Sequence, residues 1–192
     1  MPAVRETLHF LSQCATRIRT TGAVLPSGGV LARTMVTAIG PLKPGEVIIE
    51  LGPGTGVFTR EIIRRYPGHP VVAVEFNQEF VDRLRTRLPE VHVVQGCASR
   101  MANHLDELGI PRDKVGAVIS GLPLLSLPNE LSKSIFAAIG SVLRPGQRYV
   151  QFTYSKRMWR RFQVPGFRFE PSRMVWRNFP PAVVLPFTRL TG

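Results

Sequence analysis

Residues 47–56 read Val-Ile-Ile-Glu-Leu-Gly-Pro-Gly-Thr-Gly, and this stretch decides the fold. The mostly apolar run Val47–Leu51 leads straight into Gly52-Pro53-Gly54-Thr55-Gly56, and a helical pattern opens at Val57. Strand, glycine turn and helix in that order make the first unit of a doubly wound α/β sheet. Glycines belong there because the backbone turns sharply and must come within contact distance of a ligand, where a Cβ would clash. Alternate glycines alone are a weak signal. Here the second strand ends on an acid, Glu75, 19 residues beyond Gly56, close to the ~20 expected of a carboxylate that accepts ribose hydroxyls. The alternative is a purely structural turn with Glu75 as a solvated strand end.

Outward from this turn the pattern repeats. VIIEL (47–51), VVAVE (71–75), HVVQG (92–96), AVISG (117–121) and RYVQFTY (148–154) read as strands. Their continuous Val/Ile runs suit a parallel sheet covered on both faces. Helical stretches lie between them at 57–66, 77–88, 100–109 and 129–142, with breakers at Pro67-Gly68, Pro89 and Pro145-Gly146. MVWRN (174–178) and VVLPFTRL (183–190), joined through Pro180-Pro181, predict a closing hairpin with Pro186 on an edge strand. The expected architecture is therefore α/β, a doubly wound, mostly parallel, seven-stranded sheet.

Composition bounds the function. The chain has 192 residues, 44% of them hydrophobic, which suits one domain with one sizeable core. Two cysteines exclude a disulfide framework and a cysteine-rich zinc site, and four scattered histidines show no metal-ligand spacing. No apolar run reaches the ~18 residues of a membrane span, and the N-terminus does not read as a signal peptide. The reading is a cytosolic protein with an anionic partner. Net charge is +12 and unevenly placed: residues 46–140 hold eleven acids and ten bases, whereas 144–192 hold ten bases and one acid, Glu170. Nucleic acid and an anionic membrane face both fit.

Two helices precede the first strand in this reading. Over 4–18, Val4, Leu8, Leu11, Ala15 and Ile18 fall on one face, so residues 1–20 are expected to form an amphipathic, membrane-associating helix and 21–192 the catalytic domain. An ordinary helix packed on the sheet is the alternative. Ser27 is placed as the N-cap of a helix over 28–39.

The turn has G-x-G-x-G spacing, not the G-x-G-x-x-G of a dinucleotide fingerprint, and Glu50 precedes it within the strand. That resembles motif I of class I S-adenosylmethionine-dependent methyltransferases, E-x-G-x-G-x-G, with Glu75 matching the ribose-binding acid of motif II. The resemblance covers roughly residues 40–154. It implies a Rossmann-like fold and S-adenosylmethionine as cofactor, leaving as S-adenosylhomocysteine. The cofactor-binding residues it implies are Glu50, Gly52, Pro53, Gly54, Thr55, Gly56, Glu75, Phe76, Cys97, Ala98, Ser120, Gly121 and Leu122; no metal is implied. After the third strand many members have Gly-Asp-Ala. This chain has Gly96-Cys97-Ala98-Ser99, so adenine would rest on backbone amides, with Cys97 either a contact or plain packing.

The stretch after strand four lines the floor next to the methyl group in this family. Adenine-amine methyltransferases carry Asn or Asp there, followed by Pro-Pro or Leu-Pro and an aromatic that stacks the base. Here Ser120 holds the polar position and Leu124 the aromatic one, so the floor neither reads nor stacks a base well. The apolar Leu122–Pro128 run suits an acyl-chain neighbour better.

The whole pattern is similar to the bacterial phospholipid N-methyltransferases: the N-terminal helix, GAVLPS (22–27), ELGPGTG, SGLP and the late NFPPA (178–182). This implies stepwise N-methylation of phosphatidylethanolamine toward phosphatidylcholine by a peripheral protein on the inner face of the cell membrane, meeting an anionic surface. The related ribosomal RNA adenine dimethyltransferases are the alternative. They carry a C-terminal helical domain, for which the 38 residues after Tyr154 leave no room. Leu8 and Leu11 are expected in the membrane, and Arg17 and Arg19 at the head-group phosphate or as a solvated helix end. Tyr154 is the candidate amine contact, with a core tyrosine as the alternative. The basic, aromatic segment around Lys156–Phe169 fits lipid head groups or RNA.

Overall fold

The computed structural model describes residues 27–155, 164–178 and 180–191, with Ser27 and Leu125 described in their backbone alone. Leu8, Leu11, Arg17 and Arg19, and most of the Lys156–Phe169 segment, lie outside the described residues. The elements are α1 (Ser27–Thr37), β1 (Val47–Leu51), α2 (Val57–Arg65), β2 (Val71–Glu75), α3 (Gln78–Arg87), β3 (His92–Gln95), α4 (Met101–Glu107), β4 (Val115–Ser120), α5 (Asn129–Val142), β5 (Arg148–Thr153), β6 (Phe167–Phe169), β7 (Arg173–Val175) and β8 (Ala182–Arg189).

The strands form one sheet in the order β3-β2-β1-β4-β5-β8-β6, with β7 also beside β8. The first five are parallel and β8 runs antiparallel to β5. Continuous apolar runs bury β1, β2 and β4 along their whole lengths. Alternate residues feed two cores. Val47, Ile49 and Leu51 enter the one covered by α4 and α5, while Ile48 enters the one covered by α1, α2 and α3. Glu50 stands on the Ile48 side.

The closing region differs from the sequence expectation in two ways. The strand expected over 174–178 is Arg173–Val175, and an additional strand, β6, precedes it. Both pair with the same edge of β8, β6 with its end and β7 with its beginning. The sheet is therefore seven lanes wide, with its last lane split at residues 170–172. Pro186 consequently lies on an inner strand, not an edge. Its carbonyl accepts the Glu170 amide across the split, and a strand residue's N–H and C=O face the same neighbour. The missing proline N–H therefore falls where the seventh lane is interrupted. Among the described residues no helix is long and apolar enough to cross a membrane.

Candidate functional site

The C-terminal ends of β1, β2, β3, β4 and β5 open on one edge of the sheet, and the sequence-selected residues of the described chain gather there. The first turn is built as its glycines require: Gly52, Gly54 and Gly56 take φ of 68°, 54° and 78°, a region that costs an L-residue with a Cβ roughly 1–2 kcal/mol. A Cβ on Gly52 would collide with the Leu122 side chain, whereas one on Gly54 would meet nothing within 4 Å. Open space at Gly54 leaves room for a ligand against bare backbone. Across from it, a Cβ on Gly121 would stand 2.7 Å from the Gly52 carbonyl, so the β1 and β4 ends touch backbone to backbone.

Glu75 closes this turn. Its Oε2 accepts the Gly54 amide at 3.0 Å, and Oε1 accepts the Phe76 and Asn77 amides at 2.8 and 2.9 Å. A carboxylate offers about four lone-pair directions, so one, on Oε2, stays open toward the turn. Phe76 is half-buried, and Asn77 caps α3 through its side chain.

Glu50 is fully buried on the α2 side, and neither carboxyl oxygen has a hydrogen-bond partner; the nearby Thr59 hydroxyl is likewise unpartnered. Burial pushes its pKa up to about 7, the negative Glu75 adds to the rise, and Thr59 and Arg60 oppose it. An orphaned buried carboxyl costs several kcal/mol unless a cation or donor meets it. Positive charge arriving over the turn would favour its ionised form through space, which is the fit expected of a sulfonium compound bearing an ammonium group.

At β3 the Gly96 amide donates to the Glu75 carbonyl at 2.9 Å. Cys97 is half-buried with its Sγ 3.1 Å from Ser99 Oγ, and Ala98 is buried. A Cβ at Gly96 would collide with the His104 ring, so the β3 end is shaped by a buried histidine that sequence reading missed.

The floor after β4 is held by Ser120 and by two side chains that no motif marked, Tyr149 and Gln151. Ser120 is fully buried and its Oγ accepts the Leu122 amide at 3.2 Å. Gln151 donates to the Leu122 and Phe152 carbonyls at 2.8 and 2.9 Å and accepts the Tyr149 hydroxyl at 2.8 Å. Burial pushes the Tyr149 phenol well above its ordinary range. Strand five supplied the signal: Tyr149 and Gln151 share one face, two residues apart. Leu124 and Leu127 are core residues, which corrects the expectation that the leucine run as a whole faces an acyl chain. Tyr154, one residue past β5, is 46% exposed and edge-on to Phe152 at 5.3 Å, so the core-tyrosine alternative fails. Desolvation raises its pKa, opposed by Asn178 beside it. Asn178 is itself buried and donates to the Pro180 carbonyl at 2.8 Å, which brings the first residue of the late NFPPA run beside Tyr154.

Fold and site together define an α/β domain whose strand ends carry a glycine turn, an acid bound to the turn's backbone and a second, buried acid. A family model described as a methyltransferase domain matches residues 48–146. The chain belongs to the class I S-adenosylmethionine-dependent methyltransferases, and its cofactor is S-adenosylmethionine. It is 35% identical over 169 residues to the ornithine lipid N-methyltransferase of Singulisphaera acidiphila, covering 83% of this chain and 84% of that one. It is 33% identical over 107 residues to ribosomal RNA small subunit methyltransferase A of Burkholderia ambifaria, where the match spans 53% of this chain and only 36% of the relative. Among solved structures it resembles the Burkholderia thailandensis 1,6-didemethyltoxoflavin-N1-methyltransferase with bound S-adenosylhomocysteine, at a TM-score of 0.73 and 14% identity, covering 100% of this chain and 91% of that one. That likeness concerns the fold.

Proposed function

We propose that this methyltransferase transfers methyl groups to the amine of a phospholipid head group, stepwise on phosphatidylethanolamine, at the cytoplasmic face of the membrane. The observation that carries this reading is the floor at Ser120–Leu122. Its one polar side chain is buried and its hydroxyl accepts a backbone amide, so it offers nothing to read a base edge, and no aromatic stands at 124 to stack one. A small amine needs neither. The lipid N-methyltransferase relative, matched across most of both chains, supports the same choice. In this reading residues 1–20 associate with the membrane through Leu8 and Leu11, with Arg17, Arg19 and Ser27 toward the head group.

The bound cofactor supplies a methyl group already activated on a sulfonium. The chain's own part is to bind, align and exclude water. The Gly52–Gly56 turn brings bare backbone to the ligand with Pro53 and Thr55 shaping it, Glu75 takes a ribose hydroxyl on its open lone pair, and Glu50 faces positive charge. Phe76, Cys97 and Ala98 would hold the adenine, and Ser120, Gly121 and Leu122, the floor, would border the cofactor on its methyl side. The lipid ammonium sheds a proton to water, leaving a free nitrogen pair to which a bound cofactor would supply the methyl group. The Tyr154 hydroxyl, neutral at working pH as any phenol is, contacts that nitrogen and orients it.

Vesicles of phosphatidylethanolamine, incubated with protein and radiolabelled cofactor, test the proposal, with lipids resolved by chromatography. Label in mono- and dimethylated phosphatidylethanolamine supports it. Label confined to an ornithine-lipid arm would move the substrate to another amine lipid, and no lipid label would end the reading.

A further inference from the structure

The two helical layers that sandwich the sheet carry opposite charge. α1, α2 and α3 together hold seven basic side chains and three acidic ones, an excess of four. α4 and α5 hold one lysine against three acids, an excess of two in the other direction. Fold stability does not require this, because the cores beneath both layers are equally apolar. Within the basic layer a cleft lies between α2 and α3, directly behind the glycine turn. Arg60, Arg83 and Arg87 rim it over an apolar floor of Phe80 and Leu84, with Gly54 and Thr55 of the glycine turn forming its remaining wall. The three arginines are exposed. Arg60 donates to the Thr55 carbonyl at 3.1 Å and Arg83 pairs with Glu79, so the cleft keeps a net positive charge. It shares Gly54 and Thr55 with the turn that serves the cofactor, while its three arginines have no part in the methyl transfer proposed above.

We infer that the α1–α2–α3 face is the surface on which the protein rests against an anionic bilayer, with the phosphodiester of an anionic phospholipid seated in the Arg60–Arg83–Arg87 cleft. This rests on the lipid-amine reading above and adds a second lipid contact, for a lipid that is not the substrate. Guanidinium groups match phosphate oxygens in pairs, and apolar carbon between them suits the glycerol next to a phosphodiester. Single-stranded RNA fits less well: bases need exposed aromatics to stack on, and among the described residues the exposed large hydrophobics are Leu108, Tyr154, Phe169, Trp176 and Leu190, none on this layer.

Co-sedimentation with vesicles of phosphatidylethanolamine plus phosphatidylglycerol, against vesicles of phosphatidylcholine alone, tests this. Each basic residue near an anionic surface contributes about fivefold in partitioning, ~1 kcal/mol. The variant Arg60→Gln/Arg83→Gln/Arg87→Gln should therefore lose at least about tenfold on anionic vesicles and nothing on neutral ones. Arg83→Gln/Arg87→Gln, which keeps the Arg60 bond to the turn, should lose about fivefold or more. Lys133→Gln, on the opposite layer, should change neither. Full retention of either arginine variant on anionic vesicles would overturn the inference. So would release of wild type by inorganic phosphate but not by chloride of equal ionic strength, which would mark a free-anion site, or tighter binding to duplex RNA lost in the same variants. Methylation of phosphatidylethanolamine in neutral detergent micelles is read separately. If wild type fails there the lipid-amine reading fails, whatever the vesicle result, and if it succeeds the vesicle result judges the cleft alone.

Discussion

The ends of β1–β3 and the ends of β4–β5 meet along one sheet edge, yet they are built on different plans. On the first side, polar groups are left incompletely paired toward the ligand: Glu50 has no partner, and Glu75 keeps one lone pair after binding three amides. On the second side the buried polar atoms are spent on one another. Ser120, Gln151, Tyr149 and the Leu122 backbone form a closed set, and Tyr154 is the polar group left facing outward. The difference teaches how the labour divides. The first half keeps polar groups that a charged, hydroxyl-bearing ligand can pair, while the second has already paired its own, which under the proposed function leaves a floor suited to a small amine.

The comparison breaks most easily at Gly54. Gly54→Leu puts a side chain into space that no protein atom occupies, so the fold should survive while the ligand is displaced. Calorimetry should show S-adenosylhomocysteine affinity down about a thousandfold, ~4 kcal/mol, with Tm lower by only about 2–8 °C from the backbone strain. Retained affinity would mean that the ligand does not cross the turn.

Glu50 gives the next largest effect. The unfolded chain releases this proton near the ordinary 4.5 and the folded chain holds it until about 7. The unfolded state thus binds fewer protons in that window, and ligand-free stability should fall by about 3 kcal/mol as pH rises through it, then level off. Urea unfolding at a series of pH values should show this slope removed in Glu50→Gln. Cofactor affinity should rise over the same window in wild type, as the carboxyl gives up its proton to face a cation, and stay flat in the variant. An identical slope in both proteins would sink the assignment.

On the acceptor side, Gln151→Leu strands the Tyr149 hydroxyl and the Leu122 carbonyl. It should cost about 1–3 kcal/mol of stability and lower kcat, while S-adenosylhomocysteine affinity stays within about twofold of wild type. A fall in cofactor affinity matching the fall in kcat would show that the two halves are not separate. Smallest of all, Tyr154→Phe should reduce kcat about tenfold, ~1.4 kcal/mol, leaving both Tm and cofactor affinity unchanged because the ring is half in solvent. Unchanged kcat would remove Tyr154 from the amine.

The same division explains what the sequence made legible. β1 and β2 match the expected 47–51 and 71–75 because continuous β-branched runs bounded by glycine and proline admit few other readings. Gly54 and Glu75 were found because a tight turn and an acid at fixed spacing are local signals. Gln151, Tyr149 and His104 were not, because their roles come from strand neighbours and helix packing that spacing along the chain does not encode. β6 was missed for a similar reason: three residues, Phe-Arg-Phe, are too short to show a period, and β8 alone gives them an edge to pair with. Pro186 was read by a sound rule for edges, and only the split lane beside it shows how an inner strand tolerates the ring.

The central claim, that this floor receives a lipid amine and not a base, is tested most directly by competition in one vessel. Phosphatidylethanolamine vesicles and small-subunit ribosomal RNA are offered together with limiting radiolabelled S-adenosylmethionine, and the label in each is counted after extraction. The account predicts label in the head group of phosphatidylethanolamine and none above background in the RNA. Label in adenines of the RNA, with unlabelled lipid, would contradict it.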